Sequence, residues 1–211
     1  MELLVTVPHG ATPTGDGEHN SDNGALGLLP FLEEALTSME IDYKVMVGDV
    51  NRAIMDLNRL RSHSHPWQIE FRKALLDAKV HIDLHSFPSR DQEDSDYLTS
   101  TGYDLRIWSK GEVVFFNTPE ITPMELLSTL EETFEEHALQ VIEEQAGFEN
   151  YISAVANVLM DVPSVVIEVN EAETQSRRQI GSALAAGVLE FLDLYGERSP
   201  QDDELLPVVD A

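Results

Sequence analysis

Residues Ser164-Val165-Val166-Ile167-Glu168-Val169 form a near-continuous apolar run interrupted by one glutamate. A run without polar alternation needs cover on both faces, which a central strand flanked by helices receives. Shorter apolar stretches at 3–7, 43–47 and 80–84 read as further strands, the last ending at His85-Ser86. Within 97–118 two or three strand-like stretches occur, Val113-Val114-Phe115-Phe116 being the clearest. Helices are predicted between them. Ser21-Asp22-Asn23 reads as an N-cap ahead of a helix over 25–38, with Pro30 as a kink or restart. The spacing of Trp67, Phe71, Ala74, Leu75 and Ala78 predicts a helix over 67–78. Thr122-Pro123 opens a long acidic helix expected to reach about Gln145, another lies near 150–160, and a last one spans 175–195. Strands alternating with helices predict an α/β sandwich around a mostly parallel or mixed sheet. We expect one domain over 1–196, with an acidic tail at 197–211.

The chain has no cysteine, so thiolate ligands, thiol nucleophiles and disulfides are excluded, and any metal must take nitrogen and oxygen donors. Charge is the unusual bulk property: 39 acidic residues oppose 13 basic ones, for a formal −26. Lysine occurs only at Lys44, Lys73, Lys79 and Lys110. Such a field disfavours nucleic acid and anionic membrane surfaces as partners. The composition resembles that of proteins from salt-loving microbes; the plainer alternative is an acidic surface or tail that docks on a basic protein partner. Melting across a salt series decides the first reading. The melting temperature should climb into molar KCl, where screening relieves self-repulsion, and a flat curve refutes it. No run approaches the roughly 18 apolar residues of a membrane span. Glu2 leads directly into the first strand without a basic leader, so the expected location is cytoplasmic, in a cytosol of high salt if the halophilic reading holds.

Four segments put chemically capable residues at or near predicted strand ends, where open α/β sheets form binding crevices. His9, in Val7-Pro8-His9-Gly10, follows the first strand directly. In His81-Ile82-Asp83-Leu84-His85, alternation puts both histidines and Asp83 on one face. A carboxylate there can fix a ligating histidine's tautomer, whereas the bland reading is an edge strand with a wet face. Arg52, Asn58 and Arg59 form a plausible anion-binding set, or else a solvated turn. Glu168, inside the apolar run, is costly to bury unless paired or working, and burial moves a carboxyl toward the range of a general base. His63 and His65 are weighed as a second metal site against a polar loop, and the loop is preferred. His137 reads as part of a solvated helix face.

Taken in order, Pro8-His9-Gly10, Arg52, Asp56-Leu57-Asn58-Arg59, Asp83-Leu84-His85-Ser86 and Ile167-Glu168-Val169-Asn170 resemble the N-formylglutamate amidohydrolase family. That family is related to the zinc carboxypeptidases and aspartoacylases. The resemblance implies a three-layer, zinc-carboxypeptidase-like fold and one zinc ion per chain. It implies His9 and His85 as ligands and Glu168 as the base that activates the attacking water. It further implies that Arg52 steadies the oxyanion and that Asn58 with Arg59 holds the substrate's carboxylate. Zinc carboxypeptidases carry a glutamate three residues after the first histidine, where this chain has Thr12. The third ligand is therefore expected later, at Asp22 first, Glu18 second, with Asp16 possible. The expected activity is hydrolysis of an amide in a small N-acyl amino acid or peptide end. The rivals are a peptidase or cell-wall amidase, and a weakly active binding or assembly protein, for instance a viral component, that keeps the fold.

Overall fold

The structure is a computed structural model that describes residues 1–11, 22–52, 54–87, 112–145, 151–170 and 176–195. In chain order it runs β1 (Leu3–Val7), α1 (Asn23–Ser38), β2 (Tyr43–Val47), a 3-10 turn (Leu60–Ser62), α2 (Pro66–Leu75), β3 (Val80–Phe87) and β4 (Glu112–Asn117). There follow α3 (Met124–Glu136), β5 (Gln140–Gln145), α4 (Tyr151–Ala154) leading into a π-helical turn (Val155–Leu159), β6 (Ser164–Asn170) and α5 (Arg177–Tyr195). The strands join in one six-stranded sheet ordered β2-β1-β3-β6-β4-β5. Pairing is parallel except between β4 and β6, which makes the sheet mixed, as expected.

Strand alternation divides the side chains between two layers. Leu3, Val5, Val7, Ile82, Leu84, Phe115, Val165 and Ile167 enter the larger core with residues of α1, α3 and α5. The opposite face carries Leu4, covered by Trp67, Phe71 and Leu75 of α2 and by Ile152, Val155 and Ala156. The three-layer sandwich implied by the resemblance is what forms.

One expectation and one alternative reading need correction. The acidic helix does not reach Gln145: α3 stops at Glu136, and residues 140–145 form β5 against β4. Ala138 takes a positive φ of 54°, the Leu139 amide donates to Phe134 O at 3.0 Å, and the Ala138 amide donates to Glu135 O at 2.9 Å. That is a Schellman stop, usually built on glycine; alanine in its place left no visible signal. The second correction concerns β3. It runs on through His85 and Ser86 to Phe87, and it sits between β1 and β6, so the edge-strand reading fails. Pro30 lies inside α1 as a single element. The polar stretch at 87–95, expected as a loop, gives its first residue, Phe87, to β3, and the rest of it, the strand-like stretches before residue 112 and the tail at 197–211 lie outside the described residues.

Candidate metal centre

His9 sits in the turn that ends β1. The amides of Gly10 and Gly48 both donate to Val7 O, at 3.2 and 2.8 Å. This lays the Pro8-His9 turn directly on Gly48, where a Cβ would come within 2.0 Å of Pro8 O. Because the obstacle is backbone, no rotamer change relieves it, and glycine is what lets the turn seat.

Asp22 comes back to the same place. Its amide donates to His9 O at 3.0 Å, closing the connection from β1 into α1. It occupies the N-cap position of α1, but its side chain makes no capping bond. Instead Ser86 Oγ, from the end of β3, accepts the Gly24 amide at 3.1 Å. The N-cap expectation thus holds for position and fails for chemistry, since a hydroxyl from β3 takes over a capping bond.

The Asp22 carboxylate turns toward two imidazoles. Its Oδ2 lies 3.0 Å from His85 Nδ1 and 3.3 Å from His9 Nδ1. All three residues are buried, and one donor atom from each falls within 4.8 Å of the other two. The rings of His9 and His85 stand 5.0 Å apart. Burial alone would raise the Asp22 carboxyl, but the His85 and His9 imidazoles beside it hold it down at about 2. Burial likewise works against a charged His85, and the carboxylates of Asp83 and Asp22 overcome it and move that imidazole well above its usual range.

The far side of each ring is also held by a carboxylate. His9 Nε2 donates to Asp56 Oδ1 at 2.8 Å, and His85 Nε2 forms an ion pair with Asp83 Oδ2 at 3.2 Å. Both histidines therefore direct Nδ1 inward. His9 Nδ1 is buried without a hydrogen bond of normal geometry, which is costly for an imidazole unless something binds its lone pair. Two nitrogens, one oxygen and carboxylate-backed rings are the donor set and outer support that a zinc-like ion requires.

Asp56 was absent from the sequence-derived candidates, although its place between Arg52 and Arg59 was a usable signal. Arg52 Nε and Arg59 Nε lie 3.6 and 3.5 Å from Asp56 Oδ2, and the Asn58 amide donates to Oδ1 at 2.9 Å. Burial opposes ionisation of Asp56, yet His9 and the two arginines hold its carboxyl well below the ordinary range. The arginines remain more than a third exposed. Asn58 is buried: its Oδ1 accepts the Ile152 amide at 3.0 Å, and its Nδ2 lies 3.2 Å from His85 Nε2.

Glu168 stands beside His85 in the β3–β6 register and beside Val114 across the antiparallel pair. It is only partly buried. Burial raises its carboxyl above the ordinary value, partly offset by His85, Arg52 and His9. Glu18 and Asp16 lie outside the described residues. His65 caps α2 by accepting the Trp67 amide at 3.3 Å, and His63 Nδ1 lies 3.1 Å from Leu60 O, so both belong to the turn before that helix. His137 Nδ1 is 2.8 Å from Thr133 O at the end of α3.

No family model matches the sequence, and no curated protein matches it. Solved structures do. The gene product Atu2144 of Agrobacterium tumefaciens aligns at TM-score 0.65 and 14% identity, over 93% of this chain and 92% of that one. The N-formylglutamate amidohydrolase of Ralstonia eutropha JMP134 aligns at 0.56 and 13%, over 91% and 93%. The catalytic domain of CwlV, an N-acetylmuramoyl-L-alanine amidase of Bacillus (Paenibacillus) polymyxa var. colistinus, aligns at 0.50 and 15%, over 92% and 99%. At these identities the likeness concerns architecture alone, and it meets the expectation of an α/β sandwich around a mixed sheet.

Proposed function

We propose that this chain is a metal-dependent amidohydrolase acting on a small N-acyl amino acid or peptide end, with one zinc ion held by His9, Asp22 and His85. The observation that carries the reading is the buried Nδ1 of His9, without a hydrogen bond of normal geometry and turned toward Asp22 beside His85 Nδ1. Such an ion, when bound, supplies Lewis acidity toward a water and a substrate carbonyl.

The remaining work falls to the chain's own residues. Asp56 and Asp83 fix the two rings. Glu168, raised by burial and placed beside His85, takes a proton from the attacking water and delivers it to the amide nitrogen as the C–N bond breaks. Arg52, close enough to influence Glu168, faces the negative oxygen that develops on the carbonyl. Asn58 is buried and its Oδ1 is committed to the Ile152 amide, which suits a structural post better than capturing substrate. The substrate's carboxylate is accordingly assigned to Arg59, whose planar donors suit it.

A peptidoglycan amidase reading shares all of this chemistry, and the likeness to the CwlV domain keeps it in the test. Purified protein should retain about one zinc per chain and hydrolyse some member of a panel of N-formyl and N-acetyl amino acids, short peptides and muropeptides. Retention of zinc with no turnover on any of them favours a binding or assembly role; failure to bind any divalent ion overturns the metal reading itself.

A further inference from the structure

Behind the candidate metal centre, on the same face of the sheet, lies a second set of buried polar groups. Thr6, His81, Asp83 and Ser164 are each fully buried, on the adjacent strands β1, β3 and β6. Thr6 Oγ1 donates to Asp83 Oδ1 at 2.8 Å and lies 2.9 Å from His81 Nε2. His81 Nδ1 is 2.7 Å from Ser164 Oγ, which is 3.1 Å from Ser153 Oγ. Asn157 closes the far end, exchanging bonds with the Ser164 backbone at 2.7 and 2.9 Å.

Proton bookkeeping gives this chain one direction. Asp83 Oδ1 accepts from the Thr6 hydroxyl at 2.8 Å. The Thr6 hydroxyl has a single proton and spends it on Asp83, so toward His81 it must be an acceptor. His81 therefore carries its proton on Nε2. Burial drives its imidazole down to about 4, leaving one N–H, so Nδ1 is an acceptor, and the Ser164 hydroxyl gives its one proton to that nitrogen at 2.7 Å in preference to the longer bond it could donate to Ser153 Oγ at 3.1 Å. The series ends with Asp83 Oδ1 occupied and Oδ2, otherwise without a hydrogen bond, available to His85 Nε2 at 3.2 Å.

We infer that Thr6 and His81 are positioning residues: a one-way hydrogen-bond chain from Ser164 through His81 and Thr6 orients the Asp83 carboxylate, which in turn holds the His85 ring with Nδ1 toward the ion. This rests on the metal reading above for its consequence, though the chain's direction can be tested without metal. A set of polar residues that merely satisfy one another would affect stability alone.

Two measurements on the full chain separate these. The first is zinc affinity by competition with a chromophoric chelator, under conditions where circular dichroism shows every variant folded. Thr6→Val, nearly isosteric but without the hydroxyl, should weaken zinc binding about 10-fold or more, the scale seen when outer partners of metal ligands are removed. Thr6→Ser should restore it to within about twofold, because it keeps the donor. Zinc binding by Thr6→Val equal to wild type overturns the inference and leaves the metal reading standing. The second is ¹⁵N histidine NMR of the metal-free protein, which decides the matter even if wild type binds no zinc. His81 should be the neutral Nε2–H tautomer, and the His85 nitrogens should shift in Thr6→Val but not in Thr6→Ser. An Nδ1–H tautomer at wild-type His81, or a His85 signal indifferent to Thr6→Val, overturns it.

Discussion

Replacing Glu168 by glutamine should lower turnover by roughly 10²–10⁴-fold, the range associated with loss of a general acid–base group, while leaving the zinc content at its wild-type level. Glutamine is close in shape and keeps the fit of β6 against β3 and β4, so the loss reports chemistry rather than misfolding. Stability provides an independent check with the opposite sign. Burial raises the Glu168 carboxyl above its ordinary value, so the folded protein holds that proton more tightly than the unfolded chain does. The stabilising contribution is therefore present at low pH and disappears as pH rises through the raised value, above which the carboxylate is a net cost. Glu168→Gln removes that cost, and near neutral pH the metal-free variant should melt no lower than wild type. For the same reason wild-type activity should fall on the acid side as Glu168 becomes protonated, and residual activity in the variant should lack that limb. A variant that keeps wild-type turnover, or that loses its metal along with its activity, removes Glu168 from the proposed role.

How far the sequence carried the fold depends on what each signal encoded. The apolar run around Glu168 and the strand at 3–7 were legible because a strand covered on both faces has little composition to choose from. The end of α3 was not, because its stop is a left-handed alanine, which in sequence looks like a helix former. The setting of β3 was not legible either: the polar residues of 81–86 left a wet edge strand open as the alternative, and only pairing with both β1 and β6 shows them as the interior of the sheet.

The site divides in the same way. His9, His85 and Asp22 could be nominated because each stands at or near the end of an element, but their convergence depends on a long-range tie, the Asp22 amide to His9 O, that no local pattern announces. Asp56 escaped notice because it sits in a turn crowded with charge, where arginines nearby suggest substrate binding as readily as support for a carboxylate. Thr6 was hidden for a different reason. Within a strand of leucines and valines a threonine looks like another β-branched residue, and its hydroxyl acquires a function only when β3 brings His81 and Asp83 alongside.

Zinc should raise the melting temperature substantially, and Asp22→Asn should abolish most of that gain. Ligand held only by the folded state stabilises it by about 4 kcal/mol at a thousandfold excess over Kd. For a domain of this size each kcal/mol is worth about 2–4 °C, so a shift of about 8–16 °C is expected for wild type. Asparagine retains the shape at position 22 and the backbone bond to His9, but it supplies a neutral oxygen where the ion requires a charged one. It should also lower the stability of the metal-free protein near neutral pH. The Asp22 carboxyl is held at about 2 by the two imidazoles, and that contribution is present above its unfolded value and lost only as pH falls through the folded one. Glu34→Gln, which breaks an exposed pair with Arg178 on the outer helices, serves as the control and should leave the zinc gain intact. Wild-type protein whose melting ignores zinc contradicts the site. The comparison is demanding for so acidic a chain, because carboxylates scattered over its surface also attract divalent ions. Those groups persist in the unfolded state and bind there as well, so they add little to the difference between folded and unfolded forms. Only donors brought together by folding can produce a large shift that a single buried aspartate controls.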